Sequence, residues 1–193
     1  MHALKQLTHI SKWRSRGLTG IELMVTVAIL AILLGLAAPS MSRFVQQWRV
    51  SNTLNALTGS LRLARTEAIA RARIVVICSV SSSTSTDCKT SEDDDYASGW
   101  IVFVNNDGNS SLTFSSSNGD ELLIRQEAPA GIADITLSSA GKFVFYPNGL
   151  AQSANGINVS AVGYASSKPS TRKAICISKP GRIRYVADNS DCT

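Results

Sequence analysis

Histidine is scarce in this sequence. There are two, His2 and His9, both within the first 17 residues, so a chain trimmed after Gly17 keeps none. That excludes a Ser-His-Asp triad, a Cys-His pair and any His-ligated metal site from such a chain. There is no Walker loop, no GxGxxG and no GxSxG. Carboxylate or lysine chemistry has no motif to carry it, so we expect no catalytic residue, no cofactor and no enzyme. Aromatic residues make up 6% of the 193 positions and charged residues 17%, against a hydrophobic fraction of 44%. Those proportions are globular and exclude a disordered chain. The length suits one ordinary domain rather than two large ones. No internal repeat of roughly 20–50 residues is visible.

Acid is absent from the first 17 residues, which carry Lys5, Lys12, Arg14 and Arg16. The formal net charge of +5 falls to +1 without those four. The overall basicity is therefore mostly a property of the N-terminus and not by itself a sign of an anionic partner.

Charge is absent again from Leu23 to Ser42, a run that opens LMVTVAILAILLGLAA. About 20 helical residues cross a hydrocarbon core of about 30 Å. The basic stretch before the run would stay cytoplasmic and the rest of the chain would lie outside the inner membrane. A secretory signal peptide shares these features, with a tolerable cleavage site at Gly35-Leu36-Ala37. Glu22 argues against it. A carboxylate at the mouth of an apolar run is costly in lipid and requires a partner.

Arg16-Gly17-Leu18-Thr19-Gly20-Ile21-Glu22-Leu23 resembles the cleavage motif of type IV prepilins. The resemblance implies a cut between Gly17 and Leu18 by a prepilin peptidase, N-methylation of Leu18, and an assembly role for Glu22. Leu18 stands where the family usually has Phe, and Gly20 where it usually has Leu. The second change places a helix-weakening residue in the first turn, at up to about 1 kcal/mol relative to Ala. The physics of Glu22 agrees with the resemblance. A free amine at Leu18 is a cation among apolar helices, and a neighbouring subunit's carboxylate neutralises it where an unpaired charge costs several kcal/mol.

Beyond Pro39, which kinks or loosens a helix interior, Phe44, Trp48, Leu54, Leu57, Leu61, Ala64 and Ala68 recur largely at steps of three or four. That is the apolar stripe of an amphipathic helix. Arg43, Arg49, Arg62, Arg65, Arg71 and Arg73 lie mostly off it, as a solvated face with a partner surface as the alternative, and Glu67 and Arg71 form an i,i+4 pair. After Arg73 the period becomes strand-like. Strands are expected at Ile74–Val80, Trp100–Val104, Glu121–Gln126, Ile132–Leu137, Lys142–Tyr146, Gly156–Val162, Lys173–Ser178 and Arg182–Val186. The expected fold is α+β: a long N-terminal helix, membrane-spanning in its first half, packed on an antiparallel β-sheet head. The expected divisions are a leader at 1–17, a transmembrane and assembly helix at 18–42, an amphipathic continuation at 43–73 and a head at 74–193.

Ser79 to Asp95 is low in complexity and ends in Glu92-Asp93-Asp94-Asp95, a solvated loop with a cation site as the alternative. Asn105 to Asn109 reads as a hairpin turn and only faintly as a calcium loop. Asn109-Ser110-Ser111 and Asn158-Val159-Ser160 fit a glycosylation sequon, a match that arises often by chance. The four cysteines lie on the expected outer side, where an oxidising compartment favours two disulfides. Of three connectivities, Cys78–Cys88 and Cys176–Cys192 are favoured, because each joins a strand end to a nearby loop or terminus. Zinc is disfavoured by the lack of CxxC spacing, and we expect no metal.

Gly99-Trp100-Ile101-Val102-Phe103-Val104 with Asp107 and Asn109, Phe145-Tyr146-Pro147-Asn148-Gly149, and Ala174-Ile175-Cys176 together resemble the heads of the GspH/FimT group of type IV minor pilins and H-type pseudopilins. The resemblance implies the type IV pilin fold. Its implied partners are major and minor pilins, the prepilin peptidase and an inner-membrane assembly platform. Gly181-Arg182-Ile183-Arg184 matches the G-R-x-R motif of FimT-like pilins, which implies sequence-independent binding of double-stranded DNA in natural transformation. Residues one apart but for a neighbour project to one face of a strand, as Arg182 and Arg184 would. Lys168, Arg172, Lys173 and Lys179 lie close in sequence, and from Ser160 on six basic residues oppose Asp188 and Asp191. Such a patch holds phosphates without reading bases. The alternatives are an H-type pseudopilin of type II secretion, or a purely structural assembly-priming pilin.

Overall fold

The chain is described from a computed structural model, which covers residues 17–89, 95–106, 108, 112–138, 141–163, 171–186 and 192, with the backbone alone at 37–40. It divides into two compact units between Met41 and Ser42.

In the first unit Gly17, Leu18 and Thr19 precede the helix as irregular, exposed backbone. Helix α1, Gly20–Arg71, starts on Thr19. The amide of Glu22 donates to Thr19 Oγ1 at 3.3 Å and the amide of Leu23 to the Thr19 carbonyl at 3.2 Å. Thr19-Gly20-Ile21-Glu22 thus has the Thr-x-x-Glu spacing of a helix N-cap, with the carboxylate at the positive end of the helix dipole. The apolar side chains from Leu18 to Leu36 are exposed all round, Ile21 by 74% and Leu36 by 73%. Among the described residues no single helix is long and apolar enough to cross a membrane. Gly20–Leu36 and Met41–Arg71 meet the test together, by length and composition.

Among the described residues the second unit contains the rest of α1 and eight strands. In chain order these are β1 (Ile74–Ser79), β2 (Gly99–Asn105), β3 (Glu121–Glu127), β4 (Ile132–Leu137), β5 (Lys142–Phe145), β6 (Asn155–Ala161), β7 (Arg172–Ile177) and β8 (Ile183–Val186). They form two four-stranded sheets, ordered β3-β2-β1-β5 and β4-β6-β7-β8. Every pairing is antiparallel.

One core joins α1 to both sheets. Val50, Leu54, Leu57, Leu61, Ala64 and Ala68 meet Val75, Ile77, Trp100 and Val102 of the first sheet and Ile157, Val159, Ile175 and Ile177 of the second. Alternate residues of β1 and β2 enter a second cluster on the opposite face, where Val76, Cys78, Ile101 and Phe103 pack with Cys88 and Val144. Burial on both faces is why β1 and β2 read as unbroken apolar runs. Inside the core Trp100 Nε1 donates to Ser60 Oγ at 3.0 Å, and the Tyr96 hydroxyl lies within hydrogen-bond reach of the Ile77 and Gly141 carbonyls. At the helix C-terminus Arg71 bonds Glu67 at 2.5 Å and Glu121 at 2.6 Å. The Glu121 contact, then that with Glu67, raises the guanidinium pKa above its ordinary value. Burial lowers that of Lys142, whose Nζ donates to the Leu112 carbonyl.

Several expectations need correction. Phe44 and Trp48 do not join the buried stripe; they are 63% and 59% exposed. At about 100° per residue Phe44 and Trp48 lie on a different face of α1 from Val50, Leu54, Leu57 and Leu61. At their level Gln46 and Gln47 are half-buried, and Gln46 Nε2 donates to the Val162 carbonyl at 3.1 Å. The segment after Asn105 is no tight hairpin. Residues 106–120 include a 3-10 turn at Ser116–Asn118 before β3 begins. The Asp120 carboxylate organises that connection by accepting from the amides of Asn106 and Ser115, both at 2.9 Å. Asn158 is buried in β6, so the second sequon is closed to an enzyme. Asp107, Asn109 and Glu92, Asp93 and Asp94 lie outside the described residues. Asp95, at the end of the acidic run, accepts from the amides of Ala97 and Ile135 and ties a loop to β4.

Candidate nucleic-acid interface at the β7–β8 hairpin

Cys78 is bonded to Cys88 and Cys176 to Cys192, the two favoured pairings. The second bridge holds residue 192 against the outer face of β7, opposite the helix side. That face carries the candidate site.

β7 and β8 are joined by Ser178, Lys179, Pro180, Gly181 and Arg182. The Gly181 amide donates to the Ser178 carbonyl at 2.7 Å and the Ser178 amide to the Arg182 carbonyl at 3.0 Å. Gly181 has φ +75°, a left-handed position that glycine fills without a Cβ clash. Arg182 is the last residue before β8, not its first. Arg184 stands opposite Cys176, and Ile183 opposite Ile177. Opposed residues share a face, so Ile183 turns to the core with Ile177, while Arg184 lies on the disulfide side. Tyr185 falls on the helix side, its hydroxyl within reach of Asn55 and Thr58 of α1. β8 is the edge strand of its sheet, and both arginines are exposed. They line one open groove of about 660 Å³ together with Ala154, Ser178, Pro180 and the Cys176–Cys192 bridge.

Gly181 itself is buried and faces Arg65 of α1. Arg65 donates from Nε to the Gly149 carbonyl at 3.1 Å and from Nη1 to the Gly181 carbonyl at 3.2 Å. A Cβ on Gly181 would sit 2.9 Å from Arg65 Nε. The Ala151 amide donates to the Lys179 carbonyl at 2.8 Å, joining the same two turns. One helical arginine therefore fixes both Tyr146-Pro147-Asn148-Gly149 and Gly181-Arg182-Ile183-Arg184. Arg62 is exposed, as a solvated face requires, whereas Arg65 is half-buried. The sequence signal for Arg65 is its i,i+4 spacing from Leu61, which puts it at the border of the buried stripe.

The remaining basic residues divide. Lys179 is exposed on the hairpin tip, and Arg172 begins β7 on the disulfide face. Lys173 alternates to the other face, where its Nζ donates to Ser51 Oγ of α1 at 3.0 Å, and so does not join the groove. Lys168, Asp188 and Asp191 lie outside the described residues. Among the described residues no group of three His, Cys, Asp or Glu is placed to hold a metal ion.

The model of the GspH family, described as Type II transport protein GspH, matches residues 53–181, and the chain belongs to this family. The match ends at Gly181, so Arg182 and Arg184 stand just beyond it. A crystal structure of the type IV minor pilin FimU of Pseudomonas aeruginosa PAO1, in space group P21, has the same fold, at TM-score 0.51 and 16% identity over 78% of this chain and 99% of that one. A second crystal form, P65, gives TM-score 0.47 and 17% identity over 74% and 99%. No curated protein matches the chain.

Proposed function

We propose that this chain is a non-enzymatic minor pilin that enters a type IV pilus at or near its tip, assists assembly, and contacts double-stranded DNA through Arg182 and Arg184. The observation that carries the DNA reading is the shared groove. Two exposed guanidiniums line it, Arg182 from the turn and Arg184 from the edge strand β8, over a hairpin whose backbone is fixed by Gly181 and Arg65. Arginine bridges phosphate oxygens bidentately and stays charged at every physiological pH. A contact of this kind is sequence-independent and weak for one head, micromolar or above, and several heads or neighbouring pilins add avidity.

In this reading a prepilin peptidase cuts between Gly17 and Leu18, which stand in exposed, non-helical backbone. Leu18 is methylated, the apolar part of α1 is held in the bacterial inner membrane with the head in the periplasm, and Glu22 of one subunit neutralises the amine of another. The assembly platform then passes the subunit to the fibre at the cell surface, where it packs among major and minor pilins. A second reading, an H-type pseudopilin of type II secretion, is favoured by the description of the matching family. Deleting the protein and complementing with Arg182→Gln/Arg184→Gln separates the readings. The minor-pilin reading expects restored piliation with lost DNA uptake. Unaltered piliation and DNA uptake in the deletion, with a loss of protein secretion, overturns it.

A further inference from the structure

A second cleft, of about 390 Å³, opens on the helix side of the same hairpin. Its described lining is Leu61, Arg62, Arg65, Thr66, Gly181, Arg182 and Ile183. It holds three guanidiniums and, among the described residues, no carboxylate. The three are not equivalent. Arg65 already donates to the Gly149 and Gly181 carbonyls and forms the floor. Arg62 is exposed one turn of α1 away, and no ion pair joins it to an acid among the described residues. Arg182 belongs to both this cleft and the larger groove, and so links them.

Three guanidiniums on one cleft, with no carboxylate in its described lining, make a locally positive site that attracts an anion. Its polar walls and its continuity with the Arg182–Arg184 groove select a phosphate. We infer that Arg62 and Arg182 form the two walls of one phosphate-binding cleft, which extends the nucleic-acid interface from the hairpin onto α1 and makes Arg62 a DNA-contacting residue. This rests on the DNA reading proposed above. The backbone track then runs from Arg184 through Arg182 to Arg62, and the helix contributes a binding group as well as a scaffold.

The test is fluorescence anisotropy of a short labelled DNA duplex with the full chain in non-ionic detergent. Wild type is compared with Arg62→Gln, Arg62→Lys, Arg182→Gln/Arg184→Gln and Arg125→Gln, the last an exposed arginine on β3 of the other sheet. Loss of one exposed ionic contact predicts an affinity about two- to fivefold lower for Arg62→Gln. It also predicts a plot of log K against log salt that is shallower by about 0.9. Arg62→Lys should recover part of both, and Arg125→Gln should match wild type. Equal binding by wild type and Arg62→Gln, with the hairpin double variant impaired, overturns the role of Arg62 and leaves the DNA reading standing. An equal loss in Arg62→Gln and Arg125→Gln also overturns it, since general charge then explains the effect. Binding by wild type no better than by the hairpin double variant removes the DNA reading itself.

Discussion

Arg65 Nη1 donates to the carbonyl of Gly181 at 3.2 Å, across a sequence separation of 116 residues. The same guanidinium reaches the Gly149 carbonyl through Nε. A residue of the helix thereby sets the position of a hairpin near the C-terminus, and with it the two arginines that follow. The contact makes the hairpin's geometry a property of the helix–sheet packing, not of the loop alone.

Arg65→Leu should therefore destabilise the head and blunt the groove together. Removing a charged donor from two carbonyls, both on buried residues, costs about 2–3 kcal/mol after allowance for the partial exposure of Arg65. For a chain of this size that lowers Tm by about 4–10 °C. Thermal melts and DNA affinity should fall together, and an unchanged Tm would show that the two bonds contribute nothing.

Gly181→Ala tests the same joint from the other side. The residue holds φ +75° and a Cβ would meet Arg65 Nε at 2.9 Å. The left-handed conformation alone costs about 1–2 kcal/mol for a residue with a Cβ. The guanidinium must also shift, so DNA binding should weaken although no charge is removed. Lys179→Ala, at the exposed tip, should leave the melt within about 0.5 kcal/mol.

The Cys176–Cys192 bridge, which spans a sequence separation of 16, lines the arginine groove. Replacing both cysteines by serine should lower stability by about 2–4 kcal/mol. Non-reducing peptide mapping of the wild type should recover this pair and Cys78–Cys88. Alkylation of all four thiols in chains taken from the periplasmic face would contradict the proposed oxidising compartment.

At the N-terminus two roles separate by substitution. Thr19→Ala removes the oxygen that caps the Glu22 amide and should weaken the start of α1 by about 1 kcal/mol, read as lost helicity in detergent. Glu22→Ala keeps that hydrogen bond, which uses the Glu22 backbone. It should leave the chain in the membrane and impair its incorporation into sheared pili. Intact mass should show cleavage after Gly17, abolished by a bulky residue at 17; a mature end near Ala38 would sink this account of processing.

Much of the fold was legible because its signals are local. The eight strands sit within one or two residues of where β-branched runs and turn residues place them, and Leu54, Leu57, Leu61, Ala64 and Ala68 point inward as their spacing requires. What the sequence could not show depends on contacts distant along the chain. Phe44 and Trp48 are spaced like members of the stripe, but the step from Trp48 to Leu54 puts them on another face of α1, and they stay exposed. Arg65 looks like any surface arginine until two glycine turns fold onto it. Lys173 belongs to the basic tail by sequence and to the opposite face by strand alternation. Arg182 and Arg184 were readable as a pair, whereas Arg62 joins them only through the packing of α1 against the hairpin.

The salt dependence of DNA binding tests the central claim most directly. Affinity for a duplex should be measured from about 50 to 200 mM salt for the full chain in non-ionic detergent and for Arg182→Gln/Arg184→Gln. If the two guanidiniums each hold a phosphate, the slope of log K against log salt should be shallower in the double variant by about 1.8. Its Tm should stay within about 0.5 kcal/mol of the wild type in stability terms. Equal slopes and equal affinities in the two proteins would contradict the account, and leave the chain a structural pilin whose hairpin has no part in holding DNA.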